Sequence, residues 1–400
     1  MALMQWANAV STRASLEAAV AEVVDKASAL LQSPADLGLV FISAAFTSEY
    51  PRLLPLLQEK LRNIKVLIGC GGGGIIGTNQ HAVQEFEGVP ALSLSLAQLP
   101  GVTVTPFHIA AEQLPDPDSP PKAWVDLFGV SPAEQPQFIL LSDPFSSGVN
   151  DLLQGIDYAY PGSITVGGLA SGSQTPGRIG LFCNDKLYRS GTVGVALSGN
   201  IVLDTIVAQG CRPIGEPYRV SASERNILLA LEEQPPLEVL RDLISSLSDA
   251  DRQLAEHSLF IGVVRDEFKQ NLEHGDFLIR NLLGVDPKVG AIAVADLVRP
   301  GQRIQFHLRD AETSADDLEW LLQRYQQTHS HVSPTGALMF SCLGRGEMLY
   351  GKPNFDSQLF SSYMPNIPMG GFFGNGEIGP VGGSTFLHGY TSVFAICRQP

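Results

Sequence analysis

The sequence of 400 residues carries little charge for its length, and most of that charge is negative. Charged residues make up 17% of the chain, and 26 Lys and Arg against 41 Asp and Glu give a net charge of −15. A protein that binds nucleic acid neutralises phosphates with a surplus of basic residues, which is missing here. The same deficit disfavours binding to an anionic membrane surface. We therefore expect neither nucleic acid nor a membrane as a partner.

Long hydrophobic runs are also missing. The longest apolar stretch, "LGLVFISAAF", is about half as long as a segment that spans a bilayer. The beginning of the chain, "MALMQWANAVSTR", lacks the basic segment followed by an apolar core that is typical of a signal peptide. These absences favour a cytoplasmic protein.

Cysteines are few, and their spacing is unsuited to a disulfide framework or a zinc site. No two of them form a C-x-x-C pair, and their number is odd. The sequence also lacks an H-E-x-x-H motif, and the glycine-rich "GCGGGGIIG" is not followed by the lysine of a phosphate-binding loop. We therefore expect no metal and no cofactor. The five cysteines are Cys70, Cys183, Cys211, Cys342 and Cys397.

The sequence does contain a pattern that occurs three times. Phe41 to Gly69, Phe138 to Gly167 and Met339 to Gly370 each begin with a short apolar segment, continue through a helical pattern and reach a second apolar segment that runs into glycines. Segments of alternating polarity follow each glycine cluster, and this period of two is typical of antiparallel strands with one buried face. We predict a recurring β-α-β-β unit in which the glycine ends the second strand.

These units predict a mixed α/β fold, with mixed sheets packed together and helices on their outer faces. A chain of this length is expected to form two domains packed together. The double proline Pro235–Pro236 indicates the boundary, which gives a first domain of residues 1–234 and a second of 235–400. An N-terminal strand and helix are expected within residues 1–36.

Two helices are predicted from local signals. The apolar stripe from Ser15 to Leu31 has helical period. In the second half, a helix is predicted to begin near Asp316, because Ser314 and Asp317 resemble a capping box.

Polar side chains accompany the third glycine cluster, "PMGGFFGNGEIGPVGG". Asn375 and Glu377 lie within it, and Cys342 and Arg345 follow the strand that precedes it. A helical crossover places both strands of such a unit in one sheet, so we predict that these four residues line one small-ligand site. Two alternatives remain open: a structural Arg–Glu ion pair with an inert thiol, or a nucleophilic Cys342 whose pKa is lowered by Arg345.

Two further arginines lie in predicted strands of the second half. Arg280 follows Asp276 in "GDFLIRN", and Arg309 follows His307 in "QFHLRD". Arginines within apolar strands need partners. They are predicted either to form buried Arg–Asp pairs or to bind the carboxylate of a ligand, and both interpretations remain open. In the second case Arg280 and Arg309 are expected to line the same ligand pocket as the four residues of the third glycine cluster.

Several long strings resemble the FIST family: "GCRPIGEPYRV", "GDFLIRNLLGVDPKVGAIAVAD", "IQFHLRDA", "GALMFSCLGRG" and "MGGFFGNGEIGPVGG". The resemblance implies a FIST N domain followed by a FIST C domain, and a sensory module that binds a small molecule. Amino acids or related metabolites are the ligands proposed for the family.

Some relatives attach this module to signalling domains or to an F-box, which we do not find in this sequence. The resemblance therefore implies that the signal passes to a partner protein. A cysteine-dependent enzyme and a protein-interaction scaffold are the alternative functions.

Overall fold

The structure is a computed structural model that describes residues 3–80, 82–146, 148–272 and 275–400. The chain is of the mixed α/β class, as predicted, with 27% helix and 39% strand. It divides into two compact units. Unit 1 is Met1–Ala208 with Trp320–Pro400, and unit 2 is Gln209–Glu319.

The helices and strands are numbered here in chain order. The helices are α1 (Leu16–Ala29), α2 (Tyr50–Lys60), α3 (Pro121–Phe128), α4 (Val149–Ala159), α5 (Pro236–Ser246), α6 (Asp249–Ala255), α7 (Ala311–Thr328), α8 (Gly346–Tyr350) and α9 (Phe355–Tyr363). The strands are β1 (Gln5–Ser11), β2 (Leu37–Ser43), β3 (Val66–Gly72), β4 (Gly74–Asn79), β5 (Ala82–Glu87), β6 (Leu92–Gln98), β7 (Val102–Ile109), β8 (Gln137–Ser142), β9 (Thr165–Leu169), β10 (Leu181–Cys183), β11 (Lys186–Tyr188), β12 (Thr192–Gly199), β13 (Val202–Ala208), β14 (Arg212–Glu224), β15 (Ile227–Leu231), β16 (Leu259–Val264), β17 (Phe277–Asp286), β18 (Ala291–Val294), β19 (Arg303–Leu308), β20 (Gly336–Cys342), β21 (Met369–Gly374), β22 (Glu377–Val381), β23 (Ser384–His388) and β24 (Ser392–Arg398).

Unit 1 contains three six-stranded sheets with the same internal order. The first is β1-β6-β2-β3-β10-β11, the second β7-β12-β8-β9-β22-β23 and the third β13-β24-β20-β21-β4-β5. In each sheet the two central strands are parallel, and the other neighbours are antiparallel. The three β-α-β units predicted from the sequence are therefore confirmed, and the alternating segments form the antiparallel strands β6, β12 and β24.

In each β-α-β repeat, the hairpin that follows the parallel pair belongs to a different sheet from that pair. The hairpin β4–β5 follows β3 but pairs with β21, β10–β11 follows β9 but pairs with β3, and β22–β23 follows β21 but pairs with β9. This cyclic exchange joins strands from both halves of the sequence in common sheets. The compact units consequently do not follow the sequence boundary at residues 234 and 235.

The glycines of the three units occupy positions different from those predicted. Gly69, Gly167 and Gly370 do not end their strands, because each strand continues beyond its glycine. In each unit a glycine instead lies directly opposite a residue of the parallel neighbour, too close to it for a side chain. A Cβ added there would lie 2.0 Å from the carbonyl oxygen of Val40 at Gly69, 1.8 Å from that of Leu140 at Gly167 and 1.9 Å from that of Met339 at Gly371.

Helices cover the outer faces of the sheets, as predicted. Helices α1 and α2 bury the outer face of the first sheet, and α3 and α4 bury that of the second. The inner faces of all three sheets share one apolar core, in which the rings of Phe41, Phe340 and Phe372 pack together. The Phe41 and Phe372 rings are stacked with centroids 5.2 Å apart.

The predicted start of helix α7 is wrong. The helix begins at Ala311, and the Asp310 carboxylate accepts a hydrogen bond from the Thr313 N–H at 2.7 Å. Asp310 therefore caps the helix, whereas Ser314 lies inside it and donates from its hydroxyl to the Gly210 carbonyl. Several acids lie close together in this segment, and the sequence pattern did not reveal which of them meets the free N–H groups.

Unit 2 is a closed six-stranded sheet with the order β14-β15-β18-β17-β16-β19. Its apolar core includes Ile261, Phe306 and Leu228, all fully buried, and the α5 residues Leu240 and Leu243 pack in the same cluster. The strands predicted from the second half of the sequence are β16 to β19.

Candidate functional site

The carboxyl ends of the parallel pairs meet within unit 1. The Gly73 N–H, just after β3, donates to the Ser171 hydroxyl oxygen at 2.7 Å, and Ser171 follows β9 by two residues. The Ser171 hydroxyl in turn donates to the carbonyl of Phe373 in β21. Ligands of α/β sheets bind outside the carboxyl ends of strands. We call the region around Gly73, Ser171 and Phe373 the strand-end centre.

Asn375 lies at the rim of the strand-end centre. Its side chain is exposed, and its amide Nδ2 donates to the Ala170 carbonyl at 3.3 Å. Its backbone N–H donates to the Leu169 carbonyl at 3.0 Å. The structure therefore places this predicted site residue where a ligand could reach it.

Cys342 and Glu377 come together at Thr391. The Cys342 N–H donates to the Thr391 carbonyl at 3.0 Å, and the Thr391 N–H donates to Glu377 Oε2 at 3.1 Å. The Gly344 N–H donates to the Cys342 sulfur at 3.5 Å. Cys342 is 9% exposed and Glu377 is fully buried. Both residues are therefore buried, and they lie close together because each is bonded to Thr391.

Arg345 is fully buried and forms an ion pair with Asp356. Its Nε donates to Asp356 Oδ2 at 2.8 Å and its Nη2 to Asp356 Oδ1 at 3.0 Å. The Tyr350 and Ser392 hydroxyls each donate to the same carboxylate at 2.8 Å. Burial raises the pKa of Tyr350 above its ordinary value. This geometry favours a structural ion pair, although its acid is Asp356 and the sequence suggested Glu377.

Arg345 also connects the buried ion pair to the strand-end centre. Its Nη1 donates to the Tyr390 carbonyl at 3.5 Å, and a Cβ added to Gly344 would lie 2.5 Å from the Tyr390 ring. Leu343, at 38% exposure, covers Gly73, since a Cβ added there would lie 2.5 Å from its side chain. The turn 343–345 is therefore positioned by the ion pair and borders the centre.

Sequence reasoning missed two acids of β5 that lie close to this turn. Glu85 accepts the Ser357 N–H at 2.8 Å, and Glu87 accepts the Glu347 N–H at 2.9 Å. They meet the first turns of α9 and α8, where free N–H groups favour carboxylates. Burial raises the pKa of both acids, that of Glu85 to about 7. Their spacing of two along a strand places them on one face, but it does not indicate which helices they meet.

The two other predicted site residues belong to unit 2. Arg280 Nε donates to Asp296 Oδ2 at 2.6 Å, and the Asp276 carboxylate forms an ion pair with Lys269 at 2.7 Å. The Arg309 guanidinium carbon lies 5.7 Å from the centre of the Phe260 ring. These contacts favour structural partners for both arginines, of which Arg280 lies in β17 and Arg309 directly follows β19.

Within the described ranges, no three His, Cys, Asp or Glu side chains are arranged to bind a metal ion. None of the helices in those ranges is both long and apolar enough to cross a bilayer. Neither finding bears on the choice of organic ligand.

Comparisons with known proteins agree with the resemblance in the sequence. The FIST N domain model matches residues 36–234 and the FIST C domain model matches residues 236–380. An uncharacterised protein of Mycobacterium tuberculosis is 34% identical over 97% of this chain and 98% of its own length. The human F-box only protein 22 is 30% identical over 29% of this chain and 33% of its own.

Among solved structures, a cyanuric acid hydrolase aligns over 100% of both chains, but at a TM-score of 0.35 and 8% identity, and similarity at this level carries no inference. The two domain models and the full-length relative, by contrast, cover nearly all of the chain. The chain therefore belongs to the FIST family, whose domains are associated with small-ligand sensing and signalling.

Proposed function

We propose that this protein binds a small polar metabolite at the strand-end centre, in the cytoplasm, and passes the resulting signal to a partner protein. The observation that carries the proposal is the meeting of three strand ends at Gly73, Ser171 and Phe373. Gly73 is half-buried next to the Leu343 side chain, and its lack of a Cβ would let a small ligand approach the backbone closely.

The chemistry around the centre favours an amino acid or a related metabolite. Asn375 offers an exposed amide at the rim, the buried Ser171 hydroxyl is bonded to Gly73 and Phe373, and the buried Glu377 is bonded to the Thr391 N–H. A ligand with an ammonium and a carboxylate group could use both donors and acceptors there.

A thermal-shift screen of amino acids and related metabolites tests the proposal. A ligand at a hundredfold its Kd stabilises the folded chain by about 2.7 kcal/mol. Ser171→Ala and Asn375→Ala should weaken the response to any hit, because they remove side chains of the centre. Asn200→Ala is the matched control, since its amide also donates to a single backbone carbonyl, that of Pro100 at 3.0 Å.

Two results would count against the proposal. One is a folded protein that responds to no compound of the panel. The other is a hit that responds equally in Asn375→Ala and in Asn200→Ala, which would place its binding elsewhere.

Thiol chemistry at Cys342 is the second candidate function. The Gly344 N–H directed at its sulfur could stabilise a thiolate. Alkylation by iodoacetamide across pH separates the two functions. For an activated Cys342, the pH midpoint of alkylation should lie well below about 8.5. An ordinary midpoint would rule out the enzymatic function.

A further inference from the structure

Glu85 joins strand β5 to the start of helix α9 through two hydrogen bonds. Its Oε1 accepts the Ser357 N–H at 2.8 Å, and its own N–H donates to Asn354 Oδ1 at 2.6 Å. The residue is 6% exposed. No group in the part of the chain that the structure describes donates to its second carboxyl oxygen, Oε2, which is also buried. Glu85 thus docks the helix through Oε1. The backbone N–H and hydroxyl of Ser357 favour its ionised form, but burial outweighs them.

The charged neighbours of Glu85 make its ionised form unfavourable. Asp356, the residue before Ser357, repels it from α9, and Glu87 repels it from two positions along β5. Arg345 is a nearby cation, but its guanidinium is engaged by Asp356 at 2.8 Å. Among the described residues, Lys352 lies between α8 and α9 with its Nζ 4.7 Å from the centre of the Phe355 ring, and two further titratable groups face this region from α8. They are the Tyr350 hydroxyl, which donates to Asp356, and Glu347, whose N–H is bound by Glu87.

We propose that Glu85 is a proton-dependent latch between β5 and the first turn of α9. The protonated carboxyl group keeps the helix docked, because Oε1 accepts the Ser357 N–H while Oε2 carries no charge. Ionisation leaves a charged oxygen buried without a donor and beside Asp356, so the helix start moves away and admits water.

The first turn of α9 is connected through Asp356 and Arg345 to the turn 343–345, which borders the strand-end centre. Release of the first turn of α9 displaces Asp356, which positions Arg345, and Arg345 in turn is bonded to the Tyr390 carbonyl. The pH would thereby regulate access to the turn 343–345. The latch is a property of the ligand-free chain, so a failed ligand screen leaves its test intact.

The pH range follows from the two protonation equilibria. The pKa of Glu85 is about 7 when docked, chiefly because of burial and secondly because of Asp356, against an ordinary value of 4.5. Between these values the docked state holds a proton that the open state has lost. The equilibrium constant for opening should therefore rise about tenfold for each pH unit in this interval and stay level above pH 7.

Hydrogen exchange of the ligand-free protein tests the latch. Exchange of peptides covering residues 354–363 is measured by mass spectrometry from pH 5 to 8.5, and the rates are corrected for base-catalysed intrinsic exchange. In the wild type, protection should fall about tenfold per pH unit up to pH 7 and then level off. In Glu85→Gln, which keeps an acceptor and cannot ionise, protection should not vary with pH.

The matched control is Asp157→Asn. Asp157 is a half-buried acid of unit 1, which accepts the Thr385 N–H at 2.7 Å and whose pKa, like that of Glu85, is raised by burial. This variant should keep the wild-type exchange profile of α9. Protection of α9 that is flat in the wild type, or that depends on pH equally in Glu85→Gln, would overturn the proposal.

Glu87→Gln keeps the proposal testable if Glu85→Gln does not fold. Removing this second repelling carboxylate should lower the pKa of Glu85 and move the levelling point to lower pH. An unmoved levelling point would also overturn the proposal.

Discussion

Replacing Arg345 by Met tests whether its ion pair with Asp356 positions the turn beside the strand-end centre. Arg345 is fully buried and Asp356 is 1% exposed. Among the described residues, the substitution therefore leaves the buried carboxylate with the Tyr350 and Ser392 hydroxyls as its side-chain donors. Breaking a buried pair from one side costs about 3–5 kcal/mol. We expect the free energy of unfolding to fall by about that amount.

The double variant Arg345→Met/Asp356→Asn also removes the buried carboxylate that loses its ion pair in Arg345→Met. It should cost less than the sum of the two single variants, with an interaction energy near the upper end of the range of about 0.5–3 kcal/mol for residues in contact. Urea unfolding followed by tryptophan fluorescence is suitable, because Trp6 and Trp124 are both buried in unit 1.

Lys122→Met is the matched control for this cycle. Lys122 also pairs with an acid, Asp126, but the two side chains are 79% and 61% exposed. Its loss should cost less than about 1 kcal/mol. An Arg345→Met variant as stable as Lys122→Met would refute the reasoning, because it would show that Asp356 is hydrated in the folded chain.

Two further predictions concern the close strand contacts and the thiols. Gly371→Ala should destabilise the protein by about 3 kcal/mol or more, because its Cβ would lie 1.9 Å from the Met339 carbonyl oxygen. Gly284→Ala is the control and should be neutral, because its Cβ meets nothing within 4 Å. Equal denaturation midpoints of the two variants by circular dichroism would contradict this prediction. Cys70 and Cys397 are fully buried and their pKa values are raised by burial, so both should resist iodoacetamide until urea unfolds the chain. Modification of either cysteine in the native protein, detected by mass spectrometry, would be inconsistent with the core described here.

Much of the fold could be predicted because it is encoded locally. The apolar stripe from Ser15 to Leu31 predicted α1, which the structure places at Leu16–Ala29 with the Ser15 hydroxyl accepting the Ala18 N–H. The three repeated units predicted the parallel pairs, because a helix between two buried strands requires a crossover. Periodicity and crossover length are properties of neighbouring residues, so one sequence sufficed.

The candidate site was only partly predictable. The glycine cluster and the adjacent strand led to Cys342, Asn375 and Glu377, and the structure brings Cys342 and Glu377 together at Thr391. The role of Ser171 was not predicted, although it follows the second glycine pair. Ser171 follows the glycine-rich strand of the second repeat, and Gly73 follows the corresponding strand of the first. A comparison of the repeats could therefore have identified Ser171.

The sequence by itself determined the three repeated β-α-β units, the parallel pairing within each of them, the helices α1 and α2, and the family. Only the tertiary structure decided which distant segments meet. It placed the β4–β5 hairpin beside β21, and so brought Glu85 to a helix that begins 270 residues further along the chain. It also gave Arg345 the partner Asp356. The physical reason is that secondary structure follows from local periodicity, whereas a buried charge takes whichever partner the packing of remote elements brings within hydrogen-bonding distance.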